Sequence, residues 1–333
     1  MFTYIASRVL LGASVIAAAC MASFALFYLS PSDPAAAICG VRCTPEQMAD
    51  IRASLGMDEP KAAQLANWFR GLVVGRDVRT GGTTQRCPAP CLGYSFVTDQ
   101  PVTPMIVSRV PVTASICLGA AAIFLPLGVL IGAASARRRG TLVDRALMGG
   151  SLAVSSIPTY LLLLMVALYL TALYPVLPRG GYHPLLRDGP IAWASGLLTA
   201  WLVLGVLFST IYARYTRASM VDTLRLDFIR TARAKGLAER RVVYRHALRA
   251  SLGPVLTLFG LDLAGLLTGA VFVERVFDLP GLGSLALDSV RTADLPAIMG
   301  VVLFGATMLV VMNLVVDLLY TVLDPRIRLR RPG

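Results

Sequence analysis

The chain has 333 residues, is 56% hydrophobic and only 15% charged, and carries a formal net charge of +12. A water-soluble globule seldom combines so much apolar content with so little charge, so that class is excluded and an integral membrane protein is expected. The positive charge is accounted for by basic loops beside lipid, and it calls for no nucleic-acid partner.

Nearly uncharged runs occupy residues 9–29, 110–136, 146–178, 191–213, 250–273 and 295–323. Each is long enough for a helix to cross roughly 30 Å of hydrocarbon, which takes about 20 residues. Lipid offers no partners to loose backbone groups, so the expectation is an all-α integral membrane protein with six transmembrane helices. Its parts are an N-terminal transmembrane helix at 1–30, an extracytoplasmic cap at 31–106 and a five-span core at 107–333. Six spans put both termini on one face with the loops at 137–145 and 214–249, and these regions hold 19 of the 31 Lys and Arg residues. The short loops of the other face hold four, and the remaining eight lie at 42–109, mostly in a long loop that the charge rule scarcely governs. Both termini are therefore expected in the cytoplasm.

In the first span, Arg8 precedes an apolar core, and Ala17 to Cys20 faintly resembles a lipoprotein cleavage box. The apolar run continues past Cys20 to Leu29, which reads as an uncleaved anchor. The long exported loop that follows should fold into a small helical cap. Thr44, Pro45 and Gln47 make an N-cap, a first-turn proline and a capping box, and Met48, Ile51 and Leu55 form an apolar stripe. A second helix is expected at 62–72, with Leu65, Trp68, Phe69 and Leu72 on one face. These two helices can pack on each other or on the mouth of a pore. Cys39, Cys43, Cys87 and Cys91 lie on the oxidising side, where disulfides are favoured over free thiols or a metal site. Spacing does not select among their three pairings. Cys20 and Cys117 fall within spans as apolar packing residues. Gly119, Gly128, Gly132, Gly265 and Gly269 suit close helix approach, with Gly128/Gly132 and Gly265/Gly269 as small-xxx-small pairs.

Between the fourth and fifth runs, residues 230–236 read as a helix closed by Gly236, and 239–248 as a second helix. Arg233, Lys235, Arg240, Arg241, Arg245 and Arg249 make the segment basic, while Phe228, Ile229, Ala232, Val242, Val243 and Ala247 offer apolar contact. By residue type alone this is a solvated basic face, a helix resting on anionic lipid, or a lever for a partner. Asp262 is an ionisable residue inside the fifth run, which either faces a solute path or hydrogen-bonds to a neighbouring helix. Asp317, with Asn313 one turn away, reads as a packing or subunit contact.

The run Arg230-Thr231-Ala232-Arg233-Ala234-Lys235-Gly236, followed by His246, Leu248, Arg249 and Pro254, resembles the cytoplasmic coupling loop of ABC-importer permeases of the dipeptide, oligopeptide and nickel group. In the general form of that motif Glu-Ala-Ala precedes the glycine, and of it only Ala232 and Gly236 are kept here. The peptide-transporter variant is matched throughout. Residues 29–34, 92–96, 100–102, 109–113, 277–283, 314–320 and 323–328 are similar to the corresponding stretches of the same family, although Ser32 stands where a glycine is usual. The region from Asp77 to Cys91 is inserted relative to the family's loop.

The resemblance implies a type I ABC-importer permease fold in the bacterial inner membrane, with a cytoplasmic coupling loop at 222–250. Its ATPase-coupling residues would be Phe228, Arg230, Thr231, Ala232, Arg233, Ala234, Lys235, Gly236, His246, Leu248 and Arg249, with Asp262 a candidate on the translocation path. It also implies a second homologous permease subunit, two ABC ATPase subunits or domains, and an extracytoplasmic substrate-binding protein. Di- or oligopeptides would be the cargo, with nickel or another small solute as the alternative. ATP and Mg would sit on the partners, since Lys61 and Lys235 are the only lysines and neither is followed by Ser or Thr as a phosphate-cradling loop requires. With His183 and His246 the only histidines, there is no His-Glu-x-x-His helix, and Gly-x-Ser-x-Gly is absent too, so no enzyme or metal site is expected. A stand-alone ion-coupled carrier or channel is the rival from another class.

Overall fold

The computed structural model describes residues 2–28, 35–36, 44–54, 57, 59–80 and 83–323. In chain order these form α1 (Phe2–Tyr28), α2 (Pro45–Ser54), α3 (Lys61–Val74), the strands β1 (Arg76–Thr80), β2 (Thr83–Cys87), β3 (Tyr94–Ser95) and β4 (Gln100–Pro101), then α4 (Val102–Arg137) and α5 (Leu142–Ser155). There follow α6 (Thr159–Leu173, its second half a π-helix), α7 (Leu185–Thr223), α8 (Asp227–Ala234), α9 (Glu239–Leu267), α10 (Val271–Val276), α11 (Leu282–Arg291) and α12 (Leu295–Leu323).

Among the described residues four helices are long and apolar enough to cross a membrane, namely α4, α7, α9 and the Leu295–Val316 part of α12. The pair α5 and α6 makes a fifth if counted as one broken span, and the described apolar part of α1, Leu10–Ala25, is shorter. The described residues thus show four or five of the six expected spans at full length. The run at 146–178 divides at Ser156 and Ile157, and its halves are bent by 90°. Pro158, with ψ 131°, caps the second half. A proline has no N–H for the ladder and turns its predecessor away from the helical region. The hydroxyls of Ser155 and Ser156 both return to the Leu152 carbonyl, giving the interrupted backbone local partners. The fifth run is also altered. Its helix starts upstream of the apolar stretch, at Glu239, and stops at Leu267, because Gly269 adopts φ 135° before α10 begins.

Two compact units divide the chain, and α4 runs through both. In the first unit, residues 1–113, 267–271 and 280–311, the cap helices choose between the two packings open to them. Trp68 of α3 is buried with Cys20 and Phe24 of α1 and Met299 and Leu303 of α12, while Ile51 of α2 packs against the same cluster. Thr44 accepts from the Gln47 N–H and the Gln47 side chain accepts from the Thr44 N–H, closing a reciprocal cap. The cap is not purely helical. β1 and β2 pair antiparallel from Arg76↔Cys87 to Thr80↔Thr83, around a Gly-Gly dipeptide of the kind that suits two-residue hairpins. Cys87 is bonded to Cys91 and is buried with Val78 and Tyr94. Cys39 and Cys43 lie outside the described residues. Asp294, only 2% exposed, accepts from Ser95 Oγ at 2.5 Å and from the Ala297 N–H. Burial pushes its carboxyl above the usual aspartate range, and the Ser95 hydrogen bond opposes that rise.

The second unit, residues 114–266, 272–279 and 312–333, is built on the seam between α4 and α7. A β-carbon added at Gly128 would lie 2.4 Å from Tyr212 Cβ, and one at Gly132 would lie 2.5 Å from the Ala213 carbonyl oxygen. One at Gly119 would enter the Trp201 ring. These glycines let two backbones meet where lipid supplies no hydrophobic drive for association. Gly265 has nothing within 4 Å of such an atom, so it makes no comparable approach. At one end of the seam the Asp144 carboxylate accepts from Arg217 Nε at 2.7 Å and NH2 at 2.8 Å, from Ser135 Oγ at 2.5 Å and from the Gly140 N–H at 2.9 Å.

A candidate coupling site

The helix α8 has eight residues and carries no side-chain cap. Its amphipathic pattern decides how it lies. Ile229 is fully buried and Ala232 is buried beside it, in one cluster with Ala133 and Ala136 of α4, Met220 of α7, and Val242, Val243 and Ala247 of α9. Full burial of an aliphatic side chain is worth about 1.5–3 kcal/mol, so Ile229 is the main anchor of a helix too short to persist alone.

The helix stops at glycine for a local reason. Gly236 has φ 73°, its N–H donates to the Arg233 carbonyl at 2.9 Å, and the Leu237 N–H donates to the Ala232 carbonyl at 3.3 Å. That pair of bonds is the Schellman stop, which favours glycine at the left-handed position, and Leu237 packs on the same cluster. Arg233 then reaches across the turn to Glu239 through Nε at 3.1 Å and NH2 at 2.8 Å. This fork holds the Arg233 guanidinium above its ordinary pKa and links the end of α8 to the start of α9.

The opposite face of α8 is left open. Phe228 is 46% exposed, and Arg230, Thr231, Arg233, Ala234, Lys235 and Gly236 are exposed with it. Phe228 therefore offers its apolar contact outward, while Ile229 and Ala232 turn theirs to the bundle. His246 and Leu248 are half-buried along α9, and Arg249 is exposed. The segment is thus a short helix seated on three others, presenting one aromatic ring and several cations.

Sequence reasoning did not point to the groove beside this helix. Tyr215, Ser219, Asp222, Thr223, Leu226 and Pro254 line an open recess of about 390 Å³. Its signal lay in Tyr215, Ser219 and Asp222, a polar stripe at helical spacing on a stretch that reads as loop but forms the last two turns of α7. Asp262 is brought to Tyr212, whose hydroxyl donates to Oδ2 at 3.0 Å. The Tyr212 ring lies 4.9 Å from Phe124, which also neighbours Phe208 and Phe259. Asp262 is half-buried there and makes the expected hydrogen bond to a neighbouring helix. Among the described residues no cluster of three or more His, Cys, Asp or Glu side chains forms a metal site.

Comparison with known proteins finds relatives along nearly the whole chain. The family described as binding-protein-dependent transport system inner membrane component matches residues 126–329, and the family of its N-terminal region matches residues 1–117. A Brucella abortus protein named as a permease of a peptide transport system is 35% identical over 98% of this chain and 99% of its own length. The di/tripeptide transport system permease protein of Pseudomonas aeruginosa is 34% identical over 99% of this chain and 100% of its own. The dipeptide transport system permease protein of Lactococcus lactis is 34% identical over 91% and 92% respectively. A solved methionine ABC transporter in inward-facing conformations aligns with a TM-score of 0.49 and 17% identity, over 67% of this chain and 96% of that one.

Proposed function

From the premise that this chain belongs to the family of binding-protein-dependent transport system inner membrane components, we propose that it is the permease subunit of an ATP-driven importer of di- and oligopeptides. The peptide cargo is supported by the names of relatives that match nearly end to end. The observation that carries the coupling role is the seat of α8, with its apolar side in the bundle and Phe228, Arg230 and Lys235 turned outward.

A pore changes state only if something binds its two states differently. This chain has no phosphate-cradling lysine of its own, so the energy enters from another polypeptide. Two ABC ATPase subunits grip α8 and the neighbouring residues Thr231, Ala232, Arg233, Ala234, Gly236, His246, Leu248 and Arg249. ATP and Mg sit on those partners. ATP binding closes the ATPases, α8 moves, and α7 and α9 carry the motion into the membrane. A second, homologous permease completes the pore, and an extracytoplasmic binding protein delivers the peptide. In this arrangement the chain crosses the bacterial inner membrane six times, with α1 as the first span and both termini in the cytoplasm. Its parts are the span at 1–30, the exported cap at 31–106 and the permease core at 107–333. Asp262, held by Tyr212 and half-accessible, lies on the translocation path, where it attracts the peptide's amino terminus.

The test is retention of an ATPase by the tagged chain, together with import of a labelled dipeptide into vesicles. Changing the lysine of that ATPase's phosphate loop should abolish import. Import that persists with the altered ATPase, or a chain that retains none, would establish a self-sufficient carrier instead.

A further inference from the structure

We propose that Asp144 and Arg217 are a positioning pair that makes the seat of α8 move as one body, so that work done on α8 reaches the pore helices. This rests on the importer reading above and assigns the pair a part in energy coupling. Asp144 is 3% exposed, and its carboxylate is saturated by four donors. They come from separate stretches: Ser135 near the end of α4, Gly140 in the turn, and the Arg217 fork on α7, while Asp144 itself stands in the first turn of α5.

The position of the cluster is what gives it a role. Ser135 lies between Ala133 and Ala136, which form the α4 wall of the seat, and Arg217 lies about one turn before Met220, which forms the α7 wall. The third wall is tied to the second by Ser219 Oγ, which donates to the Ser251 carbonyl of α9 at 2.9 Å. Apolar helices in lipid have little reason to hold their register along a seam. Glycine packing at Gly128 and Gly132 sets the distance between α4 and α7, and Asp144 of α5, which takes the two-pronged Arg217 contact from α7 and the Ser135 hydroxyl from α4, adds direction and register. Walls that slide separately under a load on α8 would dissipate it; walls linked through Asp144 pass it on.

The experiment uses the whole transporter, with its ATPases and binding protein, in proteoliposomes supplied with a labelled dipeptide. Three quantities are read for Asp144→Asn, Arg217→Gln and Arg217→Lys: complex assembled, ATP hydrolysed, and dipeptide imported per ATP. The expected result is assembly and hydrolysis near the wild-type level, with import per ATP lowered about tenfold in the first two variants. Arg217→Lys, which keeps the charge and loses the fork, should fall between them and wild type. Unchanged import per ATP would overturn the proposal. So would import that falls only in step with assembled complex, or failure of all three variants to assemble, since either confines the pair to folding. Wild-type import separates the two claims: its absence counts against the importer reading, whereas its presence alongside normal variants counts against the pair.

Discussion

Gly132 and Gly265 are equivalent in the sequence, each belonging to a small-xxx-small pair on an apolar helix, and the fold uses them differently. At Gly132 a β-carbon would meet the Ala213 carbonyl oxygen at 2.5 Å and Thr216 Cβ at 2.6 Å, and the first of these is backbone that cannot step aside. At Gly265 there is open space. Gly132→Ala is expected to lower stability by about 1–3 kcal/mol through forced separation of α4 and α7. Gly265→Ala should be neutral or gain up to about 1 kcal/mol, because it removes backbone freedom at no steric cost. Thermal unfolding of the purified protein in detergent checks both, and equal midpoints for the two variants would contradict the seam. Phe228 gives a second lesson at this scale. The sequence offers Phe228 and Ile229 alike for apolar contact, and it is Ile229 that faces inward, because helix phase decides which of two neighbouring apolar residues meets the bundle.

At the scale of elements, α8 is held by its buried stripe and stopped by its glycine. Ile229→Ala should cost about 2–4 kcal/mol of local stability, since the cavity has rigid walls on three helices. Phe228→Ala should leave the unfolding midpoint unchanged and weaken retention of the ATPase. Measuring midpoint and retained ATPase on both variants distinguishes seat from contact surface, and a Phe228→Ala protein that unfolds early while retaining ATPase would reverse the assignment. Other elements show where pattern failed. The run at 146–178 is long and apolar enough for one span, and hydropathy has no term for Pro158 and two serines, which divide it into α5 and α6. The hairpin of β1 and β2 is too polar for an alternating signature. Val78 and Cys87 are its buried side chains among the described residues, and the Gly-Gly dipeptide in the sequence between its two strands was the one local signal.

For the whole molecule, the distribution of Lys and Arg makes a topological claim that can be tested directly. A cysteine introduced at Lys235 should react with a membrane-impermeant thiol reagent only in inside-out vesicles, and one at Arg86 only in right-side-out vesicles. A parent chain in which Cys39 and Cys43 are replaced by Ser should label little from either side, because Cys87 and Cys91 are bonded and Cys20 and Cys117 are buried. Labelling of both introduced cysteines from the same side would invalidate the orientation. By itself the sequence determined the membrane class, the family and the location of the basic segment from Phe228 to Arg249. Apolar length, charge asymmetry and a contiguous motif are properties of the chain read locally. The tertiary structure alone decided that Asp144 meets Arg217, that Asp262 meets Tyr212 and that α8 rests on α4, α7 and α9. Asp144 and Arg217 stand 73 residues apart and Tyr212 and Asp262 stand 50 apart, and such contacts follow from the crossing of helices, which no single stretch of sequence encodes.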